Sequence, residues 1–135
     1  MGTRSTIALE FADGTVSQVY CHWDGYLDHN GKILAAHYTD PFKVRALVDL
    51  GGFSSLSETV EETAETAYTK RGEELAVERY MNRDEYFDLS SGEEYDYLLT
   101  ETTGWLVRCY ATDGGWVDLA EAEKRVAQMN ETEDY

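Results

Sequence analysis

Between Arg4 and Trp23 the chain reads RSTIALEF, then ADGT, then VSQVYCHW, two runs of alternating character on either side of Asp13-Gly14. In the first run Ile7, Leu9 and Phe11 fall on one face, and Thr6, Ala8 and Glu10 on the other. Strand side chains alternate with period two, and Asp-Gly is a strong two-strand turn signal, so this stretch predicts a β-hairpin. A hairpin with one apolar face must bury that face against other elements, which limits the folds open to the rest of the chain.

The C-terminal third repeats the pattern. EEYDYLLTE, TTG and WLVRCYAT read as strand, turn and strand; DGG follows, and then WVDLAEAEKRVAQM, a helix with Leu119, Ala122, Val126 and Met129 on one face. Between the hairpins, NGKILAAHY places Ile33, Leu34, His37 and Tyr38 on a short helical face. TDPFKVRALVDLGG predicts a helix with Asp40 as cap, Pro41 in the first turn, Val44, Leu47 and Val48 as the buried stripe, and Gly51 or Gly52 as the stop. Ser55 with Glu58 has capping-box spacing ahead of a narrow stripe of Leu56, Val60, Ala64 and Ala67; Thr69 to Glu74 reads as a loop; and Asn82 with Glu85 repeats the box. The fold class is therefore α+β, a single domain over residues 1–130. Its antiparallel sheet consists of the N-terminal hairpin plus the C-terminal hairpin, with helices packed on one face. Residues 131–135 are expected to be a frayed acidic tail.

Charge sets the partner class. The 135 residues carry 27 acidic and 11 basic side chains, a net −16, and residues 57–101 alone hold 14 acidic against 4 basic, a net of −10. Such a field repels nucleic acid and anionic lipid and steers towards a basic partner. No stretch approaches the ~18 consecutive apolar residues of a membrane span, and MGTRSTIALEF lacks the pattern of a signal peptide, so a cytoplasmic location is expected, with no membrane and no direct nucleic-acid binding. Cys21 and Cys109, each within an apolar run, read as small buried hydrophobes rather than as a disulfide or reactive thiols.

The densest chemistry lies in VYCHWDGYLDHNG, residues 19–31, which holds two of the three histidines. His22, Asp24, His29 and His37 are the residue types of a zinc or iron site, but they lack H-E-x-x-H, H-x₃₋₅-H or paired-cysteine spacing, so no metal and no cofactor is expected. Alternation along a strand would turn Tyr20, His22 and Asp24 outward and Cys21 and Trp23 inward. His22, Asp24 and His29 are then the only catalytic candidates, suited to a small enzyme or a nucleotide- or metabolite-binding module. No G-x-S-x-G elbow or phosphate-cradling glycine loop supports that reading further.

The acid-rich half carries the leading expectation. DNA presents one negative charge per ~1.7 Å of duplex axis, so a protein that occupies a DNA-binding surface must display carboxylates in comparable density. Glu61, Glu62, Glu65, Glu73, Glu74, Glu93, Glu94 and Asp96 are the candidate partner-binding acids, with Tyr95 and Tyr97 as aromatic anchors.

MGTRSTIA, ADGTV, YCHWDGY, NGKIL, RGEEL, GEEYDYLL and the late WVDL together resemble a family of small proteins encoded by tailed bacteriophages and prophages, over nearly the whole chain. The resemblance brings no activity with it. It implies an origin in the accessory part of a phage genome and a place of action in the cytoplasm of an infected bacterium. Small acidic phage proteins of this class bind host enzymes or defence components, some by mimicking DNA, an analogy of class rather than of site. The expected partner is a host protein with a basic surface.

Overall fold

The computed structural model describes residues 3–90 and 92–133. The predicted N-terminal hairpin is present: β1 (Ser5–Glu10) pairs antiparallel with β2 (Val16–Cys21), Ile7 opposite Val19 and Leu9 opposite Ser17. Asp13 closes the turn by accepting from the amide and the hydroxyl of Thr15 at 2.9 and 2.7 Å. The second hairpin joins β4 (Tyr95–Thr100) to β5 (Gly104–Arg108).

The two hairpins meet in an unforeseen way: β4 lies parallel to β1, with Ile7 beside Tyr97 and Leu9 beside Leu99. The α+β class stands, and the sheet is mixed, mostly antiparallel with one parallel joint at its centre. Short edge strands complete it, β3 (Glu78–Tyr80) against β2 and β6 (Val117–Asp118) against β5, giving the order β3-β2-β1-β4-β5-β6. Both lie where no strand was predicted, because two or three residues are too few to show alternation.

One sheet face carries the main core. Ile7, Leu9, Val19, Cys21, Tyr97, Leu99, Trp105 and Val107 pack there against Leu34 of α1 (Lys32–His37), Val44, Leu47 and Val48 of α2 (Pro41–Val48), and Leu119 and Ala122 of α5 (Leu119–Glu133). Helix α2 forms as predicted, with Asp40 accepting from the Phe42 amide at 2.9 Å. Buried phenols and indoles tie loops to this core: Tyr38 Oη donates to the Ser57 carbonyl at 2.8 Å, and Trp105 Nε1 to the Tyr38 carbonyl at 2.9 Å.

Helix α3 (Val60–Ala64) starts four residues later than the Ser55–Glu58 box suggested. Thr59 is its cap, accepting from the Glu62 amide at 3.1 Å. Helix α4 (Arg83–Leu89) is capped by Asn82, which accepts from the Glu85 amide as its spacing predicted. Helix α4 covers the opposite sheet face, where Tyr86 packs on Ala8, Val16 and Leu98 with Phe87 and Trp116 alongside, so helices stand on both faces. The tail expected at 131–135 falls partly within α5, and residues 134 and 135 lie outside the described residues. Among the described residues no helix is long and apolar enough to cross a membrane.

Candidate functional site

The end of β2 shapes the surface around VYCHWDGYLDHNG. Pairing within the hairpin stops at Cys21, and beyond β3's short reach the free edge is taken up by the segment around Phe53, bridged to Cys21 on one side and Ala67 on the other. The amides of His22 and Trp23 donate to the carbonyls of Phe53 and Ser54 at 3.2 and 2.9 Å, and Asp24 follows at a left-handed φ of +58°. The strand direction is lost before Trp23. Cys21 is fully buried as predicted, but Trp23 is 42 % exposed, which corrects its expected inward position. The signal was present in the sequence, since Asp24-Gly25 marks a break one residue after Trp23.

The three catalytic candidates do not act on one another in the way their proximity in sequence suggested. His22 Nδ1 shares a 2.8 Å hydrogen bond with Tyr20 Oη, its neighbour on the same strand face. His29 Nδ1 donates to Asn30 Oδ1 at 2.9 Å, and the buried Asn30 amide in turn donates to Ser5 Oγ and Cys21 Sγ. Asp24 contributes its carbonyl to the Asn30 amide at 3.3 Å. His37 stands 3.6 Å from Glu58 instead. Among the described residues no three His, Cys, Asp or Glu side chains are placed to hold a metal ion. Burial raises the Cys21 thiol above its ordinary pKa, the opposite of what a nucleophile needs.

Two of the proposed partner-binding residues are structural. Asp96, 2 % exposed on the central strand β4, accepts from Thr6 Oγ1 at 2.6 Å, the Glu93 amide at 2.9 Å and Arg108 at 3.1 and 3.3 Å. Tyr97 is fully buried and donates through Oη to the Gly25 carbonyl at 2.6 Å. Neither is open to the surface. Both lie on a strand covered on its two sides, which a stretch of alternating polar and aromatic residues did not announce.

The remaining candidates are at the surface, in separate neighbourhoods. Glu61 and Glu62 belong to α3, and their charges act on Tyr38, whose phenol is raised chiefly by burial. Glu65 pairs with Lys70 at 3.1 Å and Glu73 with Arg71 at 2.7 Å. Glu94 stands by Tyr95, whose half-buried ring meets Tyr110 edge-on at 6.3 Å and whose phenol burial pushes up to about 12. Glu74 and Glu93 are exposed, and Glu93 acts on Tyr20.

Around Tyr20 these groups assemble into a surface that the sequence did not single out as a unit. Tyr68, Tyr20, His22 and Trp23 form a chain of rings with successive centroid separations of 6.5, 5.9 and 4.6 Å. Arg71 lies over the Tyr68 ring at 4.6 Å while paired to Glu73. The backbone bonds to Phe53 and Ser54 hold the arc, so its rings present area at little conformational cost. No family model, curated protein or solved structure matches the chain.

Proposed function

We propose that the chain is a phage-encoded interaction protein that binds a basic, nucleic-acid-binding surface of a bacterial host protein and so obstructs it, as a defence inhibitor or DNA mimic. The observation that carries this reading is the disposition of charge. The few cations are largely committed internally: Lys43 donates to the carbonyls of His37 and Glu58 at 2.6 and 2.8 Å, Arg83 to Glu10, Arg108 to Asp96 and Arg125 to Glu121. Glu61, Glu74, Glu93 and Glu94 are exposed and, among the described residues, enter none of the ion pairs. A surface of uncompensated carboxylates accelerates encounter with a basic partner and disfavours nucleic acid.

The test is binding of the purified protein to a panel of basic host nucleic-acid-binding proteins between 50 and 300 mM salt. Affinity is expected to fall steeply with salt, to be competed by duplex DNA, and to drop when Glu61, Glu62, Glu65, Glu73, Glu74, Glu93 and Glu94 are changed together to Gln. Binding that ignores salt and survives those changes overturns the electrostatic reading.

A further inference from the structure

We infer that the ring chain Tyr68, Tyr20, His22 and Trp23, with Glu73 and Glu93 beside it, is a seat for an arginine side chain of the partner. The inference rests on the reading that the partner is basic, and names where and how one of its cations is held. A guanidinium is attracted to the negative face of an aromatic ring, to tryptophan most strongly, and is less tightly hydrated than an ammonium.

The molecule already shows the chemistry within itself. Arg71 rests on the Tyr68 face at 4.6 Å while its guanidinium meets Glu73 at 2.7 Å, an arginine held by one ring and one carboxylate. At the opposite end of the arc, three rings on from Tyr68, Trp23 is 42 % exposed and, among the described residues, has no cation over its ring. His22 meets it edge-on at 4.6 Å with the rings at 86°, and is itself fixed by Tyr20 Oη. The Trp23 amide is bonded to Ser54, so the indole is mounted on bonded backbone rather than on a free loop.

The charges acting on the two tyrosines are Arg4 and Glu93 for Tyr20, and Arg71 and Glu73 for Tyr68. These offset one another in sign, so the net −16 of the whole chain decides which ligand approaches, and it favours a cation. A stacked nucleobase would meet the same rings but would carry its phosphates into that field.

The probe is a pair of short peptides, one arginine-rich and one with every arginine replaced by citrulline, which keeps the planar shape but exchanges one nitrogen donor for a carbonyl oxygen and removes the charge. Affinity is measured by titration calorimetry for the parent and every variant, and contact at the seat is read in the parent from the indole N–H resonance of Trp23, assigned by its loss in Trp23→Phe. The arginine peptide should shift that resonance and bind at least tenfold more tightly than the citrulline peptide. Trp23→Leu should weaken it by about fivefold to twentyfold, with Trp23→Phe falling between, while Glu61→Gln/Glu62→Gln on α3 has a smaller effect. The folded state of each variant is checked by its unperturbed core resonances. Arginine-peptide binding that leaves Trp23 unshifted, or that Trp23→Leu does not weaken, overturns the seat and leaves the proposed function standing. Absence of binding, or a shift produced by a thymidine oligonucleotide and not by the peptide, also overturns it. Failure of the host-protein panel in its own salt series overturns the proposed function separately.

Discussion

Tyr97 and Tyr86 are both fully buried, on opposite faces of the sheet, and their hydroxyls have opposite fates. Tyr97 Oη donates to the Gly25 carbonyl at 2.6 Å, which ties the loop after β2 to the central strand; Tyr86 Oη makes no well-formed hydrogen bond among the described residues, although the Thr6 side chain acts on it. Burial without a bond costs ~1–3 kcal/mol, and removing a buried donor transfers that cost to the acceptor left behind. Tyr97→Phe should therefore destabilise the protein by about 1–2 kcal/mol in denaturant unfolding, whereas Tyr86→Phe should be neutral or stabilising by up to about 1 kcal/mol. Equal losses from the two substitutions would refute the assignment. Gly25 itself admits no side chain, since a Cβ there would lie 2.7 Å from Ser5 Cβ and 2.9 Å from the Thr3 carbonyl.

At the scale of elements, α4 covers the second face through the small cluster around Tyr86. Its main polar tether is Arg83, which grips Glu10 of β1 through two bonds at 2.6 and 2.8 Å. The Arg83 guanidinium holds the Glu10 carboxyl below the usual carboxylate range, partly opposed by burial and aided by the Glu101 amide. A carboxyl whose folded pKa is depressed adds stability that is fully present above its unfolded pKa and is lost as pH falls through the folded one. Glu10→Gln should thus cost about 1 kcal/mol at pH 7, discounted because Arg83 is partly exposed, and the gap from the parent should close on acidification below ~pH 4. Hydrogen exchange of the α4 amides, compared with those of α2, measures it; a pH-independent gap would sink the ion-pair account. The same elements show what was legible beforehand. Period-two alternation and Asp13-Gly14 located β1 and β2, and the Asp40 and Asn82 caps located α2 and α4, because these signals are local. The parallel joint of β1 to β4 was not legible, since nothing near Ile7 refers to Tyr97. That single long-range pairing is what turned Asp96 and Tyr97 from surface candidates into core, and the early end of β2 is what brought Trp23 to the surface.

For the whole molecule, a net charge of −16 on 135 residues makes self-repulsion a property of the folded state as well as a means of attraction. Compaction brings the carboxylates of α3, of the loops flanking β4 and of α4 closer than they are in the unfolded chain, and added salt relieves that repulsion over a Debye length of ~10 Å at 0.1 M. Of the two inward ion pairs, Asp96 with Arg108 is screened least because the carboxylate is buried, while Glu10 with Arg83 is screened more because Arg83 is partly exposed. Salt should therefore act with opposite signs on the two equilibria: the thermal midpoint should rise by a few degrees between 20 and 300 mM sodium chloride, while affinity for a basic partner falls over the same range. Replacing Glu61, Glu62, Glu65, Glu73, Glu74, Glu93 and Glu94 with Gln should raise the low-salt midpoint and flatten its salt dependence. A midpoint that falls with salt would mean that attractive pairs dominate the native electrostatics, and the carboxylate surface would then have to be compensated within the fold rather than held in reserve for a partner.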